Sequence, residues 1–341
     1  MSAFRVRITF VILLLLLLFS LYLGCRIGAV GIDNEAFWRL LSGGATASDQ
    51  AVGQILLHIR LPRVFAAALV GGILAVTGAV MQGLFRNPLV DPGIVGVMAG
   101  ASFAATLSIV LGGALFPAFF NATNDYALPL AAFLGGWAVT MLLYTLANRG
   151  GVINIATMLL IGIALGALTG ALTGLLTYLA DDKQLRSITF WGMGSLAIFD
   201  WHKLAILAVV CLLTLPLLLR DAHILNALML GEKVAGHLGF NTESAKKRQI
   251  LLVALLVGGC VAFSGGIGFV GLVVPHIVRG LLGSNHRLVL PASFLFGAAL
   301  LNFSDLIART IVSPAELPIG ILTAMIGAPF LGFLVWKGAK R

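Results

Sequence analysis

The chain is built from apolar runs too long and too close together for a soluble core. Residues 8–29, 62–84, 93–117, 127–148, 152–180, 202–219, 249–264, 267–282, 288–308 and 318–337 are dominated by Leu, Val, Ile, Ala, Gly and Phe, with short polar passages between them. A helix that crosses a membrane needs about 20 such residues. Strands of a membrane barrel would instead alternate apolar and polar positions with a period of two, and these runs do not. The expected fold is an all-α integral membrane protein of about ten transmembrane helices, with 1–341 forming a single transmembrane domain. Composition agrees: 60% of the residues are hydrophobic and 10% charged, against about 25% charged in soluble domains.

Arg5, Arg7 and the apolar stretch after them resemble a signal peptide, and Gly24-Cys25 resembles a lipoprotein cleavage site. Tyr22 and Leu23 stand where such a site needs small residues, so this segment reads as an uncleaved first helix. Cys25, Cys211 and Cys260 each lie in or at the end of an apolar run and read as small core residues, neither a disulfide nor a metal set.

The net charge of +9 belongs to loops. With the N-terminus inside, the inner set is Arg5, Arg7, Arg86, Arg149, Arg220, Lys233, Lys246, Lys247, Arg248, Arg279, Arg287, Lys337, Lys340 and Arg341, and the outer set is Arg26, Arg39, Arg60, Arg63, Lys183, Arg186, Lys203 and Arg309. Fourteen against eight satisfies the positive-inside rule. Ten spans then return the C-terminus to the cytoplasm. A nucleic-acid-binding surface is not needed to account for the basic excess.

Three polar passages stand out. Residues 31–61, with Asp33, Glu35, Trp38 and Asp49, form an outer segment too polar to cross. Residues 181–201 form another, in which Phe190, Trp191 and Trp201 read either as an interfacial aromatic belt or as part of a half-inserted helix at an outer mouth. The longest charged passage, 220–248, has the pattern of an amphipathic helix (Leu225, Leu228, Met229, Val234, Leu238) broken at Gly239 and closed by a polar turn holding Lys246, Lys247 and Arg248. A protein that merely spans has no use for such an island; one pushed by a soluble partner does. In the turn 83–93, Asn87-Pro88 and Asp91-Pro92 end one helix and begin the next, with Asp91 as a cap.

Gly71, Ala75, Ala79 and Gly83 recur every four residues, as do Gly162, Gly166, Gly170 and Gly174. Such stripes let helix backbones approach closely, for packing or for sliding as a gate. Asp305 and Arg309 are spaced to pair along one helix face, unless Arg309 is left free at the surface. Signs of chemistry are missing. No GxxxxGK[ST] loop occurs, and Gly266–Gly271 matches GxGxxG only nominally, without a βαβ context. The six histidines lack ligand spacing. No enzyme, cofactor or metal site is expected, and scarce acids within the spans weigh against a proton-coupled secondary transporter.

Arg60-Leu-Pro-Arg63, Gly78-Ala-Val-Met-Gln-Gly83 with Arg86-Asn-Pro-Leu89, Gly268-Phe-Val-Gly-Leu-Val-Val-Pro-His276 and Ala315-Glu-Leu-Pro-Ile-Gly320 together resemble the FecCD family, the permease subunits of bacterial (type II) ABC importers for iron-siderophores, haem and cobalamin. The resemblance implies ten helices in the inner membrane, a homodimer around a central pathway, two cytoplasmic ATPase subunits and a periplasmic binding protein. It implies that Arg60, Arg63 and Arg309 meet acidic groups of the binding protein, as exposed cations on an outer face. It implies that Leu230, Gly231, Glu232, Ala235, Leu238 and Gly239 belong to helices seated in an ATPase cleft. Gln184-Leu-Arg186 and Thr189–Ser195 look most like haem-importing members, with a siderophore next and cobalamin third. Met81, Met98 and Met193 are candidate soft contacts in the pathway, or core fillers.

Overall fold

The computed structural model describes residues 3–28, 30–43, 49–115, 117–149 and 152–338. Lys340, Arg341 and the Arg149 side chain of the inner set lie outside the described residues, as do 44–48 of the first outer segment and the single positions 29 and 116. The helices are α1 (Ala3–Arg26), α2 (Asn34–Ser42), α3 (Gln50–Gln54), α4 (Leu61–Phe85), α5 (Val97–Leu115), α6 (Pro117–Thr123), α7 (Ala127–Ala147), α8 (Ile155–Leu179), α9 (Asp182–Met193), α10 (Trp201–Arg220), α11 (Ala222–Met229), α12 (Glu232–His237), α13 (Thr242–Ser264), α14 (Val270–Leu282), α15 (His286–Ala308) and α16 (Ile319–Gly338). Among the described residues the only strands are the two-residue pair Asn148–Arg149 and Val152–Ile153. Every expected span carries a helix. Eight helical runs are long and apolar enough to cross a membrane, and Val270–Leu282 and Ile319–Leu334 are shorter apolar helices.

Two boundaries differ from the sequence reading. The segment Gln50–Gln54 continues through a π-helical turn, Ile55–Arg60, straight into α4, so the second half of the outer segment is folded helix. Helix α13 begins at Thr242, not 249, because the Asn241 side chain accepts the Ser244 N–H and caps it there. Lys246, Lys247 and Arg248 therefore lie within a helix, not in a turn.

Helix α4 runs through the centre. From Pro62 to Phe85 it is buried almost without interruption, with α15 along its length and α1, α10, α11, α13 and α14 around it. The small-residue stripe makes this fit. Gly71 lies against the Gly297 carbonyl of α15, Gly78 against the Gly271 backbone at the start of α14, and Gly83 against the His286 ring. A methyl group on Gly71 or Gly78 would overlap a neighbouring carbonyl, so here the packing reading of the stripe holds. The stripe on α8 differs: Gly166, Gly170 and Gly174 face open space, and Leu160, Ile163, Leu168, Leu175 and Tyr178 are exposed.

Side-chain contacts define the two ends of the bundle. One holds the C-terminus of α1, Arg60, Arg63, α9 and Asp305–Glu316. The other holds α11, α12, the first turns of α13 and the start of α15. Helix α1 ends at the first end, against Arg60, and α16 starts there, with the Ile319 N–H on the Gly194 carbonyl, so the start of α1 and the end of α16 point toward the second end.

Glycine tolerance separates the two stripes. Gly78→Val is expected to abolish recovery of monodisperse protein in detergent, whereas Gly170→Ala leaves chain yield and thermal stability at wild-type level; size-exclusion chromatography and a melting curve measure both.

Candidate functional site

Arg60, at the end of the π turn, reaches back to the first helix. Its Nη1 donates to the carbonyls of Cys25 (3.0 Å) and Arg26 (2.7 Å), and its Nη2 to that of Val30. Arg309 Nη2 donates to the Gly24 carbonyl at 2.6 Å. These oxygens include the last ones of α1, which have no partner within the helix, and the end of a helix favours positive charge. Two guanidiniums thus close the C-terminus of α1. The third arginine pairs differently. Arg63 Nε and Nη2 donate to Asp305 at 3.0 and 2.9 Å, and its Nη1 to Glu316 Oε1 at 2.8 Å. Arg309 Nε stands 3.6 Å from Asp305 Oδ2, the pairing that the four-residue spacing suggested.

The arginines are brought together as expected, but not as exposed cations. Arg60, Arg63 and Arg309 are only 4%, 7% and 6% exposed. Apart from the i,i+4 pair of Arg309 with Asp305, their partners lie 30 or more positions away, on α1, α15 and the segment after it, which no local spacing reveals. Three cations against Asp305 and Glu316 leave the cluster one positive charge in excess. Arg63, Asp305 and Glu316 also line a cavity of about 400 Å³, together with Phe190, Trp191 and Ser195.

Behind that cavity three backbone segments cross. Ser195 N–H donates to the Ser264 carbonyl (2.8 Å), Gly266 N–H to Trp191 (3.3 Å) and Ile319 N–H to Gly194 (3.2 Å). Gly194 and Gly265 have φ of 72° and 67°, open to glycine at little cost. Helix α9 is started by a capping box: Asp181 accepts the Gln184 N–H and Gln184 accepts the Asp181 N–H. Helix α9 packs against α5 and α16, and the Trp201 indole donates to the Leu57 carbonyl at 2.8 Å. Met81 is fully enclosed and packs the core around α4; Met98 and Met193 are half-buried near Gly266 and Gly320.

At the opposite end, 220–248 folds as two short helices where the sequence reading had one. The break falls at Leu230-Gly231, where Gly231 has φ 117°, and Gly239 (φ 86°) makes the turn before α13. Leu225, Leu228 and Ala235 face inward, while Met229, Leu230, Val234 and Leu238 are exposed, the last at 58%. Glu232 ties α12 to α13 through Lys246, which also pairs with Glu243 at 2.8 Å and donates to the Ile153 carbonyl. Lys246 is thus a buried tie, not a cation on the surface. Arg248 grips Asp221 with two bonds of 2.8 and 2.7 Å. One connection was invisible in the sequence. Asn226 Oδ1 accepts the His286 N–H at 2.8 Å and lies 2.9 Å from His286 Nδ1, while its amide donates to Asn285, so α11 is fastened to the start of α15.

Ten apolar helices, one of them buried at the centre of the bundle, with a folded helical island at one end, define a polytopic transport permease. The sequence pattern of the FecCD transport family matches residues 12–337, and the chain belongs to that family. It is 45% identical to the hemin transport system permease protein HmuU of Yersinia pestis, over 96% of this chain and 95% of that one. It is 44% identical to the vitamin B12 import system permease protein BtuC of Vibrio cholerae, over 83% of each. A solved structure described as an inward-facing conformation of a metal-chelate type ABC transporter superposes with a TM-score of 0.83 at 38% identity, covering 97% of this chain and 99% of that one.

The ion cluster sets a measurable contrast. Asp305→Ala leaves Arg63 and Arg309 buried with like charges and is expected to cost about 3–5 kcal/mol of unfolding free energy. Glu316→Gln, at a half-exposed partner, costs about 0–1 kcal/mol. Denaturant titration in detergent micelles reads both.

Proposed function

We propose that this FecCD-family ABC importer permease carries haem, or a closely related iron chelate, from periplasm to cytoplasm by alternating access. It works as a homodimer in the bacterial inner membrane, with two ATPase subunits on the cytoplasmic side and a substrate-binding protein on the other; both termini face the cytoplasm. ATP is hydrolysed on the partner. The observation that carries the substrate assignment is the near full-length likeness to the haemin permease. A cobalamin permease is the second reading, favoured by an almost equal identity to the B12 permease over a shorter stretch; a ferric siderophore is the third.

A self-sufficient secondary transporter is disfavoured on electrostatic grounds. Among the described residues the buried acids Asp49, Asp221 and Asp305 are each held by an arginine, and the half-buried Asp91, which accepts the Gly93 N–H, lies in the turn before α5, so the spans themselves carry no unpaired acid for a proton relay. In our reading the exposed apolar side chains Leu230 and Leu238, carried by the Gly231 and Gly239 turns and anchored through Ala235 and Glu232, enter the ATPase cleft. Because Lys246 and Asn226 bind this island to α13 and α15, closure of the motor moves those helices with it. At the other end the binding protein docks above Arg60, Arg63 and Arg309. The net positive charge draws an acidic partner, and an incoming carboxylate takes the place of the half-exposed Glu316 on Arg63.

Two measurements test this. In proteoliposomes holding the permease, its ATPase and its binding protein, haemin is expected to stimulate ATP hydrolysis more than cobalamin or a ferric siderophore. Stimulation by cobalamin alone reassigns the substrate, and ion-gradient-driven uptake by this chain without the ATPase ends the ATP-driven reading. Glu316→Gln frees Arg63 without unfolding the cluster and is expected to tighten capture of the binding protein and steepen its salt dependence; unchanged or weaker capture refutes the docking role.

A further inference from the structure

A second polar cavity lies at the junction of α10, α11 and α13, at the island end of the bundle. It has a volume of about 210 Å³ and is lined by Leu217, Arg220, Asp221, His223, Ile224 and Arg248. Its electrostatics are simple. Asp221 is buried and neutralised by its two bonds to Arg248. His223 rests its ring against Phe240, with centroids 5.5 Å apart. Arg220 is exposed, and its guanidinium has no hydrogen-bond or ion-pair partner among the described residues. The cavity therefore holds one uncompensated cation beside further donors on Arg248 and the imidazole.

Its position says what would fill it. Helix α10 has 20 residues, about 30 Å at 1.5 Å per residue, which matches the hydrocarbon thickness of a bilayer. Arg220, its last residue, stands at headgroup depth. Below it on the same face, at alternating steps of three and four, come Leu217, Leu213, Val210 and Ile206. Leu217 and Leu213 are 41% and 69% exposed. A cationic cavity at the mouth of an exposed apolar stripe is complementary to a molecule with an anionic head and a hydrocarbon tail.

We infer that this cavity binds the phosphate headgroup of an anionic phospholipid, with an acyl chain lying along the Leu213–Leu217 face of α10. Basic pockets between transmembrane helices recognise such headgroups by charge and donor geometry. The lipid would sit against α11, the first helix of the island, where it holds the α10–α11 corner in place. This inference needs only a membrane-spanning chain and is independent of the substrate and partners proposed above.

Native mass spectrometry of the purified, delipidated chain, given equal phosphatidylglycerol and phosphatidylcholine, tests it. The wild type is expected to retain phosphatidylglycerol in preference, and Arg220→Gln to lower that retention roughly fivefold. Arg287→Gln, which removes an exposed charge at the same end, leaves it unchanged. Equal retention of the two lipids, a wild-type result for Arg220→Gln, or the same fall for Arg287→Gln overturns the proposal. So does displacement by millimolar inorganic phosphate, which would mark a free-anion site, or loss of ATPase capture by Arg220→Gln with lipid retention intact, which would mark a protein contact.

Discussion

Close backbone contact around α4 is the constraint on which the rest of this structure depends. In lipid there is little hydrophobic force to draw one helix to another, so association rests on fit. Gly71 against Gly297 and Gly78 against Gly271 bring α15 and α14 within backbone distance of α4. That leaves room for no side chain at the crossings, and it fixes the depth at which each neighbour sits. Polar ties then lock the register: Gln82 donates to the Gly271 carbonyl at 3.0 Å and accepts from Arg279. The Arg63–Asp305 bonds fix the depth of α15 against α4 at one further point.

Each end of the bundle solves a charge problem around this centre. At one end the first helix stops with open carbonyls, and Arg60 and Arg309 close them, while Asp305 keeps Arg63 and Arg309 from repelling each other. At the other, Lys246 holds Glu232 and Glu243 together, and Asn226 fastens α11 to α15. Tied ends joined by closely fitted helices suit the transmission that the proposed import cycle would need. The Lys246 and Asn226 ties join the island directly to α13 and α15, the route by which the proposed import cycle would carry its displacement into whole helices.

Much of this was legible in the chain itself. The ten apolar runs, the helical passage at 220–248 and the cap at Asp91 all rest on periodicity or short spacing, and the structure has each of them; of the two readings open for Arg309, paired or free, it has the pair with Asp305. The misreadings share one physical origin. A polar residue in the first turn of a helix and one in a loop look alike, so Lys246 and Arg248 were read as a turn. An arginine near a helix start looks exposed until its acceptors are known, and those of Arg60 lie on α1. Of the two readings open for Met81, pathway contact or core filler, its full burial agrees with the second.

Hydrophobicity and spacing by themselves determined the class of protein, the number of helices and which passages are polar, because a bilayer acts on each segment separately. Tertiary structure alone decided which of two glycine stripes is a contact, which arginines are neutralised and how the island is fastened. Those outcomes depend on partners 14 to more than 280 positions away, and no local pattern encodes which distant group will arrive.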